Sequence, residues 1–165
     1  MNYFFNLHLI IQPNPIMKFS QFIKKTVFAV LFMASFAFST TVFAQHTLTV
    51  EVSNIKSDKG TIMIALFKGE AGFPKDDTKA IKKMKVTIKD KKATITFTDL
   101  EAGEYAFALF HDENGNNEMD SNMFGIPKEG YGFSTNYKPT LSAPDFDEAD
   151  FKIEGDTVQK IKIIN

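Results

Sequence analysis

Period-two alternation between Thr47 and Asn165 is the feature that most narrows what this chain can fold into. In Thr47–Ile55, Leu48, Val50 and Val52 fall on one face of an extended chain, and Thr49, Glu51 and Ser53 on the other. Met84–Asp90 and Lys91–Leu100 alternate in the same way and meet at a tight turn, Asp90-Lys91. Glu104–Asp112 sets Tyr105, Phe107 and Leu109 against Ala106, Ala108 and Phe110. Its second face is mostly small, so a further layer can approach closely. Thr61–Phe67 is nearly all apolar, which predicts a central strand covered on both faces or at one end. Ala149–Gly155 and Thr157–Asn165 bring the predicted strands to seven. With turn signals at sandwich spacing and no amphipathic helix, the expected fold is all-β: a seven-stranded antiparallel β-sandwich, immunoglobulin-like in type. Lys85, Lys89, Lys160 and Lys162 on solvent faces would protect the edges from pairing with other chains.

Residues 1–44 differ in kind, with no Asp or Glu. Lys18, Lys24 and Lys25 precede the apolar run Thr26–Phe38, and Val42 and Ala44 give a small-x-small end. This describes a secretory signal peptide. The run is short for a transmembrane anchor in a bilayer core of about 30 Å. Residues 1–16 are apolar and uncharged, a poor signal start; Met17-Lys18 makes a normal one, so residues 1–16 read as an upstream extension. The expected product is an exported domain, residues 45–165, in the periplasm, outside the cell or on its surface. Cys is absent, which excludes disulfides, thiolate zinc sites, thiol nucleophiles and lipid attachment after the apolar run. Arg is absent too, so there is no guanidinium fork for phosphate. Loss of the three leader Lys would leave 16 Lys against 20 acids, a net charge of −4. That balance disfavours nucleic acid and anionic membrane surfaces as partners.

Asp112 to Asp147 is a long stretch without strand pattern, and a loop of that length in a compact domain points to function. It opens with His111–Gly125, "HDENGNNEMDSNMFG". Leu100-x-x-Gly103-x-Tyr105, just upstream, resembles the corner of transthyretin-like and Cna-B-like sandwich domains. The longer string resembles the DUF2141 family of exported bacterial proteins. The matching motifs are Gly103 and Tyr105; His111-Asp112-x-Asn114-x-Asn116; Asp120; Gly125-x-Pro127-x-Glu129-Gly130-x-Gly132-Phe133-Ser134; and Phe146. The resemblance spans Leu48 to Ile164, with Asn117 as a departure where such loops often carry Gly. It implies a fold and almost no mechanism.

Calcium takes six to eight oxygen ligands, and a loop supplies them from alternate positions. Asp112, Asn114 and Asn116 follow that rule. Glu118 would offer its backbone carbonyl, and Asp120 a carboxylate or a water bridge. Gly115 and Asn117 tolerate the left-handed backbone a bend needs. The string matches the front of an EF-hand loop, but its twelfth place is Met123 rather than a bidentate Glu. Two carboxylates among the ligands imply weak affinity, on the order of 10⁻⁴–10⁻³ M. Glu113 or Glu129 would be the source of a further oxygen. The competing reading is a polar Asx-turn loop that satisfies its own backbone. Zinc needs three or four ligands, and the exported part has only His46 and His111 beside carboxylates; His111 reads instead as a strand end bonded to the following loop.

Downstream, Gly125–Asn136 reads as a folded flap in which Ile126, Tyr131 and Phe133 pack on the sandwich. Phe73-Pro74 reads as an apolar plug, and Phe146 and Phe151 as anchors. In the alternative, Phe124, Tyr131, Phe133 and Tyr137 line a shallow site for peptide or sugar. No phosphate-cradling strand–glycine–helix unit is present. Ser134, His111 and Asp112 do not make a triad easily, because neighbours on a strand point to opposite faces. The sequence therefore favours a non-catalytic module that binds calcium weakly and meets an unknown protein or cell-envelope partner. A carrier of a small apolar ligand and, more remotely, a hydrolase are the alternatives.

Overall fold

The computed structural model describes residues 44–140 and 142–165. The expected signal peptide, the upstream extension and the alternative start at Met17 lie outside the described residues. The strands are β1 (His46–Ser53), β2 (Thr61–Phe67), β3 (Lys82–Thr87), β4 (Ala93–Leu100), β5 (Gly103–Asp112), β6 (Tyr131–Phe133), β7 (Phe151–Ile153) and β8 (Thr157–Lys162). One sheet runs β4-β1-β8; the other runs β3-β2-β5-β6, with β7 also on β5.

The all-β expectation holds, but two details need correction. The described strands number eight, because Tyr131–Phe133 pairs with Ala108–Phe110 inside the stretch read as strandless. The sandwich is also not wholly antiparallel. β1 and β8 run parallel, from Leu48 beside Thr157 to Ser53 beside Lys162. A short turn forces its two strands antiparallel. The first and last strands share no turn, so only the packing of the whole domain sets their relative direction. Ala149 is not in a strand either: it ends a one-turn helix, Phe146–Ala149, where the Glu148 carboxylate accepts the Asp145 N–H at 2.9 Å.

The alternation places the core as expected. Leu48, Val50 and Val52 of β1, with Ile95 and Phe97 of β4, pack against Ile62, Ile64 and Leu66 of β2 and Phe107 and Leu109 of β5. Across the second sheet, the small face of β5 receives a second apolar cluster. Phe73 is the plug there, in edge contact with Phe67, Phe133 and Phe146 at 5.4, 6.5 and 5.9 Å between ring centres. Phe146 is buried beside Ala106 and Ala149, and Phe151 packs on Phe107. Both clusters are built within residues 48–163, so residues 45–165 hold a complete core of their own.

Backbone bonds join the sheets at both edges. Lys89 and Lys92 exchange bonds of 2.9 and 3.0 Å around Asp90 and Lys91, whose φ values of 53° and 54° are those of a two-residue hairpin turn. At the other edge Tyr131 and Ile164 exchange bonds of 2.9 and 2.8 Å. The chain crosses from β4 to β5 at Leu100–Gly103. There the Tyr105 hydroxyl donates to the Glu101 carbonyl at 2.8 Å, the bond of a tyrosine corner. These connections bring the β1–β2 turn, the end of β5 and the start of β6 to one end of the sandwich.

Candidate functional site

The excursion from Asp112 to Gly130 leaves that end. Its base rests on two buried carboxylates. Asp112 is fully buried; one of its oxygens accepts the Gly115 N–H at 2.7 Å and the other the Asn117 N–H at 3.2 Å. The Lys85 ammonium on β3 stands 3.5 Å from the second oxygen and donates to Asn117 Oδ1 at 2.6 Å. Glu129, also buried, accepts the Glu113 N–H at 3.0 Å and the Asp120 N–H at 3.1 Å, one on each oxygen. It clamps the two ends of the loop. Gly60 completes the base: a Cβ there would overlap the Asp112 carbonyl oxygen.

Between these clamps the predicted residues form a ring of Asx turns. Asn114 Oδ1 accepts the Asn116 N–H at 3.0 Å, and Asn116 Oδ1 the Glu118 N–H at 2.8 Å. The Asn114 and Asn116 carboxamides donate across the ring to Asp120, at 2.7 and 3.3 Å. Gly115 and Asn117 take positive φ, 80° and 64°. Asn117 thus serves the bend that an EF-hand loop gives to Gly at its sixth place.

The structure therefore brings Asp112, Asn114, Asn116 and Asp120 into one small ring. Glu118 joins it through its backbone, with an exposed side chain. Among the described residues no three His, Asp or Glu side chains gather as a metal-ligating group. The donor set is hard oxygen from two carboxylates and two carboxamides. Each oxygen engaged by one N–H keeps a second lone pair. Glu129 holds one backbone N–H on each oxygen, as Asp112 does.

Two other expectations change. His111 is buried; its ring bonds the Lys59 carbonyl of the preceding turn through Nε2 at 2.7 Å, and only its backbone N–H reaches the following loop, at the Gly130 carbonyl, also at 2.7 Å. Its Nδ1 has no hydrogen-bond partner, the Glu113 carboxylate lying 3.6 Å away. Ser134 is buried elsewhere, its hydroxyl bonded to Phe107 N–H and the Ala149 carbonyl, so Ser134, His111 and Asp112 are not brought together. Ile126 does not pack on the sandwich: it is 59% exposed, with Phe124 at 79% and Met123 at 89%. Tyr131 and Phe133 do pack, in edge contact with each other at 5.8 Å.

The model of one protein family, described as uncharacterized proteins conserved in bacteria, matches residues 50–162. This chain belongs to the DUF2141 family. The match takes in the whole excursion and every strand except the start of β1. No curated protein and no solved structure matches the chain.

Sequence reasoning missed the place of Lys85 in this site and offered Glu129 as an ion ligand without its clamp on the backbone. Lys85 reaches Asp112 from β3, two strands away through β2, and no local pattern announces that. Glu129 had a faint signal: an acid followed directly by Gly130 and the short strand Tyr131-Gly132-Phe133, a place where a carboxylate needs donors.

Proposed function

We propose that residues 45–165 are an exported, non-catalytic β-sandwich module whose Asp112–Asp120 loop binds calcium weakly and holds the excursion as an interaction surface. The observation that carries the reading is the Asp120 carboxylate. It accepts from the carboxamide nitrogens of Asn114 and Asn116, which closes these three residues into one ring in the loop whose base Asp112 holds. To take a cation, the two carboxamides must give up their Asx-turn bonds and turn their oxygens toward Asp120, a cost that agrees with weak binding. The signal-like residues 1–44 support export. The two facing sheets and the Tyr105 corner support a scaffold of the immunoglobulin-like or transthyretin-like sandwich type.

A ligand that binds only the native state stabilises it by RT ln(1 + [L]/Kd). Millimolar calcium is expected to raise the melting temperature of residues 45–165. Asp120→Ala should abolish the rise while leaving the Asp112 bonds to the backbone in place. A melting temperature indifferent to calcium in the unmutated domain overturns the reading.

A further inference from the structure

Asn114-Gly115 is the only Asn-Gly pair in the chain, and both residues are exposed on the ring. Such a pair carries its own chemistry. The Gly nitrogen is a nucleophile held beside the preceding carboxamide, and Gly has no side chain to hinder its approach. Three hydrogen bonds bear on that reaction here. The Gly115 N–H donates to Asp112 Oδ1 at 2.7 Å, so a buried carboxylate stands on the proton that the nitrogen must lose. Asn114 Oδ1 accepts the Asn116 N–H at 3.0 Å, a donor placed where negative charge develops when the carboxamide is attacked. Asn114 Nδ2 donates to Asp120 Oδ2 at 2.7 Å, which ties down the nitrogen that has to leave. The surroundings are open: a Cβ on Gly115 would meet no heavy atom within 4 Å, so water has access.

We propose that Asn114 is a self-modification site, converted to aspartate and isoaspartate by the Gly115 nitrogen with water as the only other reactant. A bond forms between Gly115 N and Asn114 Cγ, and the bond from Cγ to Nδ2 breaks. The Gly115 proton passes to Asp112 and on through water to the departing nitrogen, which leaves as ammonia. Water then opens the succinimide at one of its two carbonyls, giving aspartate from the side-chain carbonyl's partner bond to Gly115 or isoaspartate from the main-chain one. No electron is gained or lost. Asp120 sets the pace: Nδ2 must let go of its carboxylate before it can take up a proton and leave. Asn116, Asn117 and Asn122 are followed by Asn, Glu and Met, whose side chains crowd the attacking nitrogen. The product undoes the ring. With aspartate at position 114, two carboxylates face each other where a hydrogen bond to Asp120 stood. Isoaspartate adds a methylene to the main chain and shifts Gly115 on the Asp112 oxygen. The change runs one way and falls on the excursion, outside the core between the sheets.

The chemistry needs no ion, so it is followed in chelator and stands or falls apart from calcium binding. Residues 45–165 are incubated in mildly alkaline buffer and cleaved after lysine, which releases Ala93–Lys128 as one peptide. Mass spectrometry of that peptide reads the exchange of amide for acid, and its fragments place it and separate aspartate from isoaspartate. Asn114 should convert at least about tenfold faster than Asn116, Asn117 or Asn122, and at no less than about a tenth of its rate in the denatured chain. Hydroxylamine, which cuts a chain at a succinimide, should split it between Asn114 and Gly115. Asp120→Ala should quicken conversion about three- to tenfold, and Asp120→Asn, which keeps an acceptor oxygen, should fall between it and the unmutated domain. Melting curves taken alongside show that each variant keeps the sandwich. An Asn114 that stays an amide in the folded domain, equal rates at the other three Asn, or a rate indifferent to Asp120→Ala in a folded variant overturns the proposal.

Discussion

The β2–β5 pair and the Asp112–Gly130 excursion adjoin each other and are built on opposite plans. In the pair, Ile62, Ile64, Leu66, Phe107 and Leu109 point inward and the backbone groups bond across the ladder. In the excursion the buried side chains are the carboxylates of Asp112 and Glu129, which accept four backbone N–H groups from Glu113, Gly115, Asn117 and Asp120. The apolar residues Met123, Phe124 and Ile126 face water. The difference teaches that a segment can hold one shape without a hydrophobic core when each buried acceptor meets a backbone donor. Its apolar residues are then free for another surface.

The largest expected effect separates the two plans. Phe97→Ala removes a fully packed ring from between the sheets and should cost about 3–5 kcal/mol of global stability, read by denaturant unfolding. Glu129→Ala strips two backbone donors of a charged acceptor and should cost about 2–3 kcal/mol. That loss should be local: amide exchange at Glu113 and Asp120 should accelerate while the β1–β4 amides keep their protection. Equal acceleration in β1 and β4 would show that the excursion and the sandwich unfold together, and the contrast between them would fail.

The same contrast explains what was legible in the sequence. Alternation arises wherever one face of a strand is buried, so β1, β2, β4 and β5 stood out within two residues of their ends. β6 is three residues long and centred on Gly132, too short for a period to show. The parallel pairing of β1 with β8 joins residues about 110 positions apart, and no turn encodes it. In the excursion, spacing alone put Asp112, Asn114, Asn116 and Asp120 on one ring, because Asx turns are local. The clamp by Glu129 and the approach of Lys85 depend on tertiary placement. Ile126, expected to pack, is exposed beside Met123 and Phe124, which reverses the ordinary rule for apolar residues.

A smaller effect sharpens the comparison inside the ring. Lys85 gives the Asp112 carboxylate a positive partner at 3.5 Å, so a divalent guest must share that oxygen with an ammonium group. Removing a positive charge that close to a dication, at high effective dielectric and with salt screening, is worth roughly a three- to tenfold gain in affinity. Lys85→Ala is therefore expected to tighten calcium by that factor in a calorimetric titration. Unchanged or weaker affinity would show that the ammonium does not compete for the ring and that Asp112 serves the backbone alone.

The smallest effect belongs to a carboxylate of the opposite sort, exposed rather than buried. Glu101 at the tyrosine corner accepts from Lys68 at 2.6 Å, and Lys68 also lies over the Tyr105 ring at 5.8 Å. The hydrogen bond from Lys68 holds the Glu101 carboxyl below its ordinary value of 4.5, and the bond to Glu101 holds the Lys68 ammonium above its ordinary 10.5. The lowered acid contributes stability above its unfolded value, which is lost as pH falls through the folded one. The raised base contributes below its unfolded value and loses that as pH climbs through the folded one. The contribution of the pair should thus be flat from about pH 5 to 10 and shrink at both ends. Both groups face solvent, so salt screens the pair and its effect is small. Melting of the unmutated domain against Lys68→Met should differ most in the middle of that window at low salt, and converge at acid pH and in high salt. A difference that persists in acid would mean that Lys68 acts through its stem packed on Tyr105 and Gly103, an apolar role at a corner whose charges are incidental.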